Sequence, residues 1–535
     1  MTFYSILFPA PADDTAATGE HWVDYAHDLN LDQVVQKISG RREEYQLATL
    51  FERPLRTKVA IQYRHEVVRD LEVRTVHDCI VRFAEQMQRM RGQNERVNKL
   101  YYLQQKQRWF VQLVATYCQA IKTLLAGLDD ATFASTGLCL LHAYLQSYLN
   151  SEWFRTLETE LVGLLAELDR VPYAILIKND SFKVQRYESE SDYSAEVSGV
   201  FAKFRQGDTK DYLVEFRDTP DMNHIEAKVL EFVALLHPDV FARLARFCST
   251  YENYLDPPLA RFDREVQFYL GYLDFIAPIK RAGLPFCYPE VMPDIKQVSN
   301  IDGFDLALAA KLVTAHASVV CNSFSLDGKE RVFVVSGPNQ GGKTTFARVF
   351  GQLHHLASLG LPVPGREAHL FLPDAIYTHF EREEDITTLH GKLEDDLVRM
   401  HAILQQLTSD SILIVNEIFN STTLQDAVFL ASRMMEQIVA SDCLCVCVTF
   451  LDELASFSDT IVSMMSTVDQ ADATVRTYKV VRRTADGRAY AISLAEKYRL
   501  TFEQLRARIP APLSAERPRR RDLEPGSAVR KVSAS

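Results

Sequence analysis

A glycine-rich loop between an apolar strand and a helix constrains this chain more than any other feature of its sequence. The loop has the spacing G-x-x-x-x-G-K-T, follows the apolar stretch RVFVVS, and consists of Gly337, Pro338, Asn339, Gln340, Gly341, Gly342, Lys343, Thr344 and Thr345. Glycines at these positions let backbone N–H groups turn towards phosphate oxygens, and the N-terminus of the following helix adds its dipole. The sequence therefore predicts a phosphate-binding loop, or P-loop, at the start of an α/β nucleotide-binding domain.

Two side chains at the end of the P-loop predict the chemistry of the bound ligand. Lys343 is placed to neutralise the β- and γ-phosphates of a nucleotide, and the hydroxyl of Thr344 is placed to hold Mg²⁺. A chance glycine-rich turn before a helix is the alternative, but strand, loop, lysine and threonine are all in place. We therefore expect ATP and Mg²⁺ as cofactors.

A second strand is predicted at SILIV, which ends in the polar pair Asn416 and Glu417. This is where a Walker B element presents a metal ligand and a catalytic base. An aspartate is usual at the first position, so Asn416 brings an amide oxygen without a negative charge and should hold Mg²⁺ less tightly. Glu417 keeps the carboxylate that orients the attacking water and accepts its proton. The alternative is a polar strand end without a function.

The pattern of apolar residues divides the chain into a helical part and an α/β part. Spacing of three and four residues predicts long helices in a core or lever domain over residues 29–290, with a small β insertion at about residues 172–218. Strands then alternate with helices, which predicts a doubly wound α/β domain. We also expect an N-terminal segment over residues 1–28 and a disordered, basic tail over residues 512–535.

Charge limits the partners of the chain. Its 59 Lys and Arg residues stand against 71 Asp and Glu, and the formal net charge of −12 excludes attraction of the whole surface to DNA. One predicted helix is basic and is a candidate for phosphate contacts, although a solvated helix face is the simpler explanation. Its basic residues are Arg82, Arg89, Arg91, Arg96, Lys99, Lys106 and Arg108.

Cysteine usage and hydropathy limit the compartment. The 9 cysteines are scattered, and Cys443, Cys445 and Cys447 alternate in an apolar stretch, which suits one face of a strand better than a metal cage. Reduced thiols are typical of the cytoplasm. The sequence shows neither a signal peptide nor an apolar run as long as a membrane span. We expect a cytoplasmic protein without a membrane segment.

At the nucleotide site the sequence resembles the ATPase domain of the MutS family, the DNA mismatch repair proteins. GPNQGGKTT is similar to the family's GPNMGGKST, NEIFNSTTLQDA to DEIGRGTSTYDG, and VVCNSFSLD to FVPNDLSLD. The resemblance covers residues 298–508 and implies an ABC-type P-loop NTPase. It also implies that Asn322 lies at the nucleotide, and that Ser421, Thr422 and Thr423 reach the nucleotide of the opposite subunit in a homodimer.

The N-terminal half resembles the same family more faintly. FERPLRTKVAIQYRHEVVRDL is similar to the start of the family's helical core. Too few residues precede this core for the family's mismatch-recognition and connector domains, and too few follow Arg508 for the nuclease domain of its second branch. The resemblance therefore implies a reduced MutS protein made of core, lever and ATPase domains.

Departures from the family pattern leave two functions open. Asn416 replaces aspartate, Phe450 replaces a histidine, and Val319 replaces the aromatic residue that stacks on adenine. In the first function, a slow ATPase couples ATP-driven dimer closure to DNA binding without sequence specificity, in repair or recombination. In the second, a nucleotide-switched scaffold binds a protein partner, with little hydrolysis and no DNA. We rank the DNA-binding ATPase first because the lever helices are retained.

Overall fold

The structure, a computed structural model, describes residues 3–16, 22–40, 42–179, 181–189, 222–381, 391–469, 475–484 and 499–508. The predicted basic tail and most of the predicted β insertion lie outside the described residues. Within them, helices dominate up to residue 281, and strands alternate with helices beyond it. This is the α/β class that the sequence predicts for the second half.

Helices form in the first half because apolar residues recur there every three or four positions. Their bounds are α1 (Pro11–Ala16), α2 (Trp22–Ala26), α3 (Leu31–Ser39), α4 (Ala48–Phe51), α5 (Lys58–Leu71), α6 (Arg74–Lys99), α7 (Leu103–Asp129), α8 (Thr136–Asn150), α9 (Glu152–Leu168), α10 (His224–Leu236), α11 (Pro238–Thr250) and α12 (Pro257–Arg281). A 3₁₀ turn spans Glu43–Tyr45. The helices α6 and α7 pack along each other, and they approach closely where Cys79 of α6 faces Gly127 of α7.

The sequence shows no apolar run as long as a membrane span, but the helix α7 is long enough and apolar enough to cross a membrane, by length and composition. Half of its most apolar window is buried inside the protein. Its neighbours are α6, α8, α9 and α11, which cover much of its surface. An interior helix therefore explains this composition. No other helix in the described ranges meets the same criterion.

A small antiparallel hairpin follows α9 and consists of β1 (Tyr173–Lys178) and β2 (Ser181–Arg186). It falls at the start of the predicted β insertion. Apolar side chains of β1 remain exposed, Ile177 to 79%. A cavity of about 920 Å³ lies between the hairpin, α7 and α10.

The second half contains two sheets and a short two-stranded pair. The strands are β3 (Phe286–Cys287), β4 (Glu290–Met292), β5 (Val298–Gly303), β6 (Asn322–Leu326), β7 (Val332–Ser336), β8 (Val363–Pro364), β9 (Glu367–Phe371), β10 (Ile376–Phe380), β11 (Ile412–Asn416), β12 (Leu444–Val448), β13 (Ile461–Val468) and β14 (Arg476–Arg482). The larger sheet has the order β10-β11-β12-β7-β13-β14, and the smaller one has the order β4-β9-β5-β6. In the larger sheet only β14 is antiparallel to its neighbour.

Helices cover both faces of the larger sheet, so its central strands are apolar throughout. The helices of this half are α13 (Leu306–Thr314), α14 (Lys343–Ser358), α15 (Lys392–Gln406), α16 (Leu424–Ser441) and α17 (Phe502–Arg508), with a 3₁₀ turn at Asp452–Ser456, and those on the larger sheet are α14, α15 and α16. Every residue of β7, β11 and β12 is buried. Cys443, Cys445 and Cys447 belong to the apolar cluster that α16 closes, as their alternation predicted. The opposite face packs against α14 and continues into the core of the helical half.

Residues 3–8 lie inside the helical half, with Ile6 and Leu7 fully buried. Their backbone carbonyls accept hydrogen bonds from Tyr63, Tyr269 and Arg64 at 2.7–3.0 Å. Arg64 also donates to the carbonyl oxygen of Leu359, just beyond the end of α14. The helical half is thereby fastened to the far end of the helix that begins at Lys343.

Candidate nucleotide site

The glycine-rich loop joins β7 to α14, and two of its glycines have a positive φ that disfavours a side chain, which at Gly337 would also clash. Gly342 has a φ of 94°, and a Cβ atom there would lie 3.4 Å from the carbonyl oxygen of Tyr478. Gly337 has a φ of 111°, and a Cβ atom there would lie 2.6 Å from Ser466 Oγ. The loop conformation therefore depends on glycine at both positions, and the first turn of α14 supplies N–H groups that have no partner within the helix.

Lys343 is the first residue of α14, and its side chain is only 4% exposed. Its Nζ donates hydrogen bonds to the carbonyl oxygen of Gly337 at 2.9 Å and to Asn339 Oδ1 at 3.1 Å. Glu417 Oε1 lies 3.4 Å from the same ammonium group. A lysine held across the loop in this way provides a positive charge for phosphate oxygens.

Thr344 and Asn416 meet at the carboxyl edge of the sheet, where β7 and β11 are separated by β12. Thr344 Oγ1 donates a hydrogen bond to Asn416 Oδ1 at 2.8 Å. Both are oxygen donors of the kind that Mg²⁺ prefers, so the pair fits a divalent cation that keeps several waters. In the described ranges, no group of three or more His, Cys, Asp or Glu side chains is placed so that it could hold a metal ion. Any Mg²⁺ held here would lack a charged ligand at position 416.

The segment after β11 carries backbone strain. Glu417 has a φ of 54° and Phe419 a φ of 61°, both in the left-handed region that favours glycine. Glu417 N donates to the carbonyl oxygen of Val448 at 2.9 Å, which fixes the backbone of Glu417 to the end of β12. Phe419 is 2% exposed and packs into the apolar cluster under α16. These contacts hold Glu417, which is 31% exposed, at the mouth of the P-loop.

The remaining site residues expected from the family resemblance lie in two places. Asn322 is close to the P-loop, but its amide bridges the carbonyl oxygen of Tyr478 at 3.1 Å and the N–H of Val480 at 2.8 Å. Ser421 and Thr423 are exposed, beyond Glu417. Thr423 caps α16, accepting from Asp426 N and donating to Asp426 Oδ2. Among the described residues, no hydrogen bond or ion pair joins Ser421, Thr422 or Thr423 to the P-loop of their own chain.

Sequence reasoning missed a bulge in β14 that covers the P-loop. In β13, Ser466 pairs with Val480 and Val468 pairs with Arg476. The single residue between them, Thr467, therefore stands opposite three residues of β14, 477–479. The central residue of the bulge, Tyr478, has a φ of 58° and a side chain 52% exposed. Bulges beside active sites re-aim side chains. A tyrosine among the mixed polar and apolar residues of β14 gives no local signal of this, so only the fold reveals it.

Arg476 lies on the same strand and also reaches the P-loop. Its Nε donates to the carbonyl oxygen of Asn339 at 3.3 Å. On the other flank of the site, His379 Nε2 and Asp396 Oδ1 lie 3.5 Å apart, both nearly buried. Burial raises the pKa of the Asp396 carboxyl above its usual range. Neither feature belongs to the P-loop or Walker B pattern.

The two further departures from the family pattern have different surroundings. Phe450 follows β12 at its carboxyl end and is 49% exposed. Val319 is partly buried against the main core. Phe450 therefore places an apolar ring, which can neither donate nor accept a hydrogen bond, where β7, β11 and β12 end together.

A known family of protein domains matches the part of the sequence that forms this site. Residues 333–505 match the family model for MutS domain V. They include Lys343, Thr344, Asn416, Glu417 and Ser421. The matched range begins in β7 and runs beyond the bulged strand β14, so it contains the whole larger sheet except the first residue of β7.

Curated relatives are similar over parts of the chain. A DNA mismatch repair protein MutS of Orientia tsutsugamushi is 27% identical over 39% of this chain and 24% of its own length. An endonuclease MutS2 of Thermus thermophilus is 29% identical over 35% of this chain and 25% of its own length. A MutS of Chlorobium chlorochromatii is 24% identical over 87% of this chain and 56% of its own length. The chain thus spans from about a quarter to about half of the length of these relatives.

Proposed function

We propose that the chain, which carries a MutS domain V, is a slow ATPase that binds ATP between two copies of itself and couples closure of this dimer to DNA binding. One observation carries the proposal. Lys343, Thr344, Asn416 and Glu417 converge at one edge of the larger sheet, within 2.8–3.4 Å of one another in pairs. A phosphate-binding cation, a metal-binding pair and a general base are the groups that hydrolysis of a nucleoside triphosphate requires.

Each residue has a separate part in the reaction. Backbone N–H groups of the P-loop and the Lys343 ammonium bind the β- and γ-phosphates, and Glu417 exchanges its contact with Lys343 for one with water. Mg²⁺, when bound by Thr344 and Asn416, supplies further positive charge at the phosphates. Because Asn416 is neutral, we expect weak retention of the metal and slow turnover.

The dimer part of the proposal is supported by the exposed position of Ser421 and Thr423. In the part of the chain that the structure describes, neither side chain bonds to the P-loop, and both are open to solvent, where a second copy of the chain could reach them. Sedimentation velocity of the purified chain tests this, and we expect ATP with Mg²⁺ to shift the chain from monomer towards dimer. A chain that stays monomeric at every concentration, with ATP and with a non-hydrolysable analogue, contradicts it.

The DNA part is supported by the basic face of α6, which exposes Arg82, Arg89 and Arg96. Arg91 is excluded from this face, because it pairs with Glu44 at 3.2 Å and with the buried Asp263. Phosphate contacts do not depend on base sequence and weaken with salt. We expect duplex or branched DNA to stimulate ATP turnover at low salt, and the triple change of Arg82, Arg89 and Arg96 to Gln to abolish the stimulation. Arg433→Gln, on the exposed face of α16, is the matched control.

A nucleotide-switched scaffold is the second candidate, favoured by two observations. The neutral amide of Asn416 bonds directly to Thr344, and the exposed ring of Phe450 replaces a polar side chain at the site edge. Both lower the rate of hydrolysis without preventing ATP binding. ATP-dependent dimerisation without any turnover, and without a response to DNA, would favour the scaffold over the ATPase.

A further inference from the structure

One face of the P-loop helix α14 is tied to residues 22–40 and 42–51, which we call the arm. Arg348 Nε donates a hydrogen bond to the carbonyl oxygen of Asp28 at 2.8 Å. Gln352, which is fully buried, donates through Nε2 to the carbonyl oxygen of Leu29 at 2.8 Å. These residues of α14 lie four positions apart and therefore share one face of the helix. That face holds the backbone of the arm at two successive residues.

His355, on the next turn of the same face, binds the arm at two more points. Its Nε2 lies 3.1 Å from the carbonyl oxygen of Phe51, and its Nδ1 lies 3.0 Å from the hydroxyl of Tyr25. Because a carbonyl oxygen can only accept, Nε2 carries the proton and Nδ1 accepts from Tyr25. The ring of Trp22 packs on the imidazole at 5.0 Å. The histidine thus joins the start and the end of the arm.

The arm is also wedged between α14 and the larger sheet. A Cβ atom on Gly351 would lie 2.6 Å from Leu29 Cδ1 and 2.7 Å from Ile414 Cδ1, so Leu29 fills the space between the helix and β11. Thr378 Oγ1, on β10, donates to the carboxylate of Asp28 at 2.7 Å. The arm therefore contacts the P-loop helix and the strand beside Walker B together.

At its other end the arm meets α6 and α12. Arg91 of α6 bonds to Glu44 and to the hydroxyl of Tyr45 in the arm, and to Asp263 of α12. Arg264 Nε donates to the carbonyl oxygen of Tyr45 at 2.9 Å. A series of polar contacts thus runs from α14, through the arm, to the helix that carries the basic face.

We propose that the arm relays the nucleotide state of the P-loop to α6, and that Tyr25, Arg348 and Gln352 are positioning residues of this relay. The relay rests on the proposed function, because it needs a nucleotide in the P-loop. Hydrogen bonds near 2.8 Å weaken steeply when they are stretched or bent, whereas apolar contacts permit sliding. A buried polar group that loses its partner is costly, so α14 carries the arm with it when phosphates fill the loop.

Hydrogen exchange measured by mass spectrometry on the full chain, with and without ATP and Mg²⁺, tests the relay. The test variant is Tyr25→Phe combined with Arg348→Met, which removes two bonds to the arm and leaves the phosphate site intact. Arg348→Lys, alone, keeps a donor and the charge. Tyr148→Phe is the matched control, because it removes a buried hydroxyl that bonds Tyr117 in the helical half, away from the arm. ATP affinity is measured on every variant by calorimetry.

In the parent, ATP is expected to slow exchange in the arm and in α6 about fivefold or more, the lower end of usual coupling between sites. The double variant is expected to bind ATP as the parent does and to lose the effect in α6, while Arg348→Lys and the control keep it. The relay is overturned if ATP binds the parent and leaves α6 unchanged, or if the double variant keeps the full effect. A parent that binds no ATP overturns the proposed function as well, which separates the two failures.

Discussion

Replacing the buried Phe419 tests whether the backbone after Walker B is strained as the structure describes. Phe419 has a φ of 61° and is 2% exposed, in the cluster between the larger sheet and α16. Two effects oppose each other here. Burial of the ring stabilises the domain, and the left-handed backbone of a non-glycine residue costs free energy.

The two effects are separated by comparing two substitutions. Phe419→Ala keeps the strain and loses the ring, which costs about 3–5 kcal/mol of unfolding free energy. Phe419→Gly loses the ring as well but relieves a strain of roughly 1–2 kcal/mol. Glycine normally costs about 0.5–1 kcal/mol more than alanine through chain entropy, so the balance leaves the glycine variant the more stable by up to about 1.5 kcal/mol.

Native-state hydrogen exchange of the buried strands β7 and β11 measures the unfolding free energy of the domain directly. Phe350 is the matched control, since it is fully buried within α14. There Phe350→Gly should be less stable than Phe350→Ala by about 1 kcal/mol, the usual order in a helix. A Phe419→Gly variant that is less stable than Phe419→Ala would refute the strained backbone at this position.

Three further changes test the site and the core. Lys343→Ala should abolish ATP binding in calorimetry, because the loop loses its full positive charge; unchanged affinity would contradict the P-loop assignment. Asn416→Asp should lower the Mg²⁺ concentration for half-maximal turnover, because a carboxylate holds the hydrated cation better than an amide; an unchanged Mg²⁺ dependence would exclude position 416 as a ligand. Burial lowers the pKa of His355 to about 3, so below pH 6.5 only the unfolded chain takes up its proton and stability falls as pH falls. His355→Gln should therefore shrink the loss of unfolding free energy between pH 6.5 and 5 by about 2 kcal/mol, and an identical pH dependence would contradict this.

The parts of the molecule that the sequence predicts well are those with local causes. The P-loop needs glycines within a few positions, and Thr344 meets Asn416 because parallel strands end at the same edge of a sheet. The apolar alternation of Cys443, Cys445 and Cys447 likewise predicts that they share one face of a strand, and they lie together in one apolar cluster. Each of these predictions depends on a short stretch of chain.

The parts that the sequence does not predict depend on distant partners. Arg348 and Gln352 bind backbone carbonyl oxygens of the arm. Every residue has such an oxygen, so the sequence does not show which one is bound. The bulge at Tyr478 follows from the pairing of β13 with β14, and the left-handed backbone of Phe419 has no signature in a phenylalanine. The apolar composition of α7 suits an interior helix and a membrane helix equally, and only its neighbours decide.

The central claim, a slow ATPase built on Glu417, is tested most directly by the rate of ATP hydrolysis in the parent and in Glu417→Gln at saturating Mg²⁺. The substitution keeps the shape of the side chain but cannot accept the proton of the attacking water. Glu436→Gln, on α16, is the control for loss of an exposed carboxylate. We expect turnover to fall by about 10²-fold or more in Glu417→Gln, the usual contribution of a general base, while ATP stays bound and the dimer stays closed. Equal rates in parent and variant, both at background, would contradict the claim and leave the nucleotide-switched scaffold in its place.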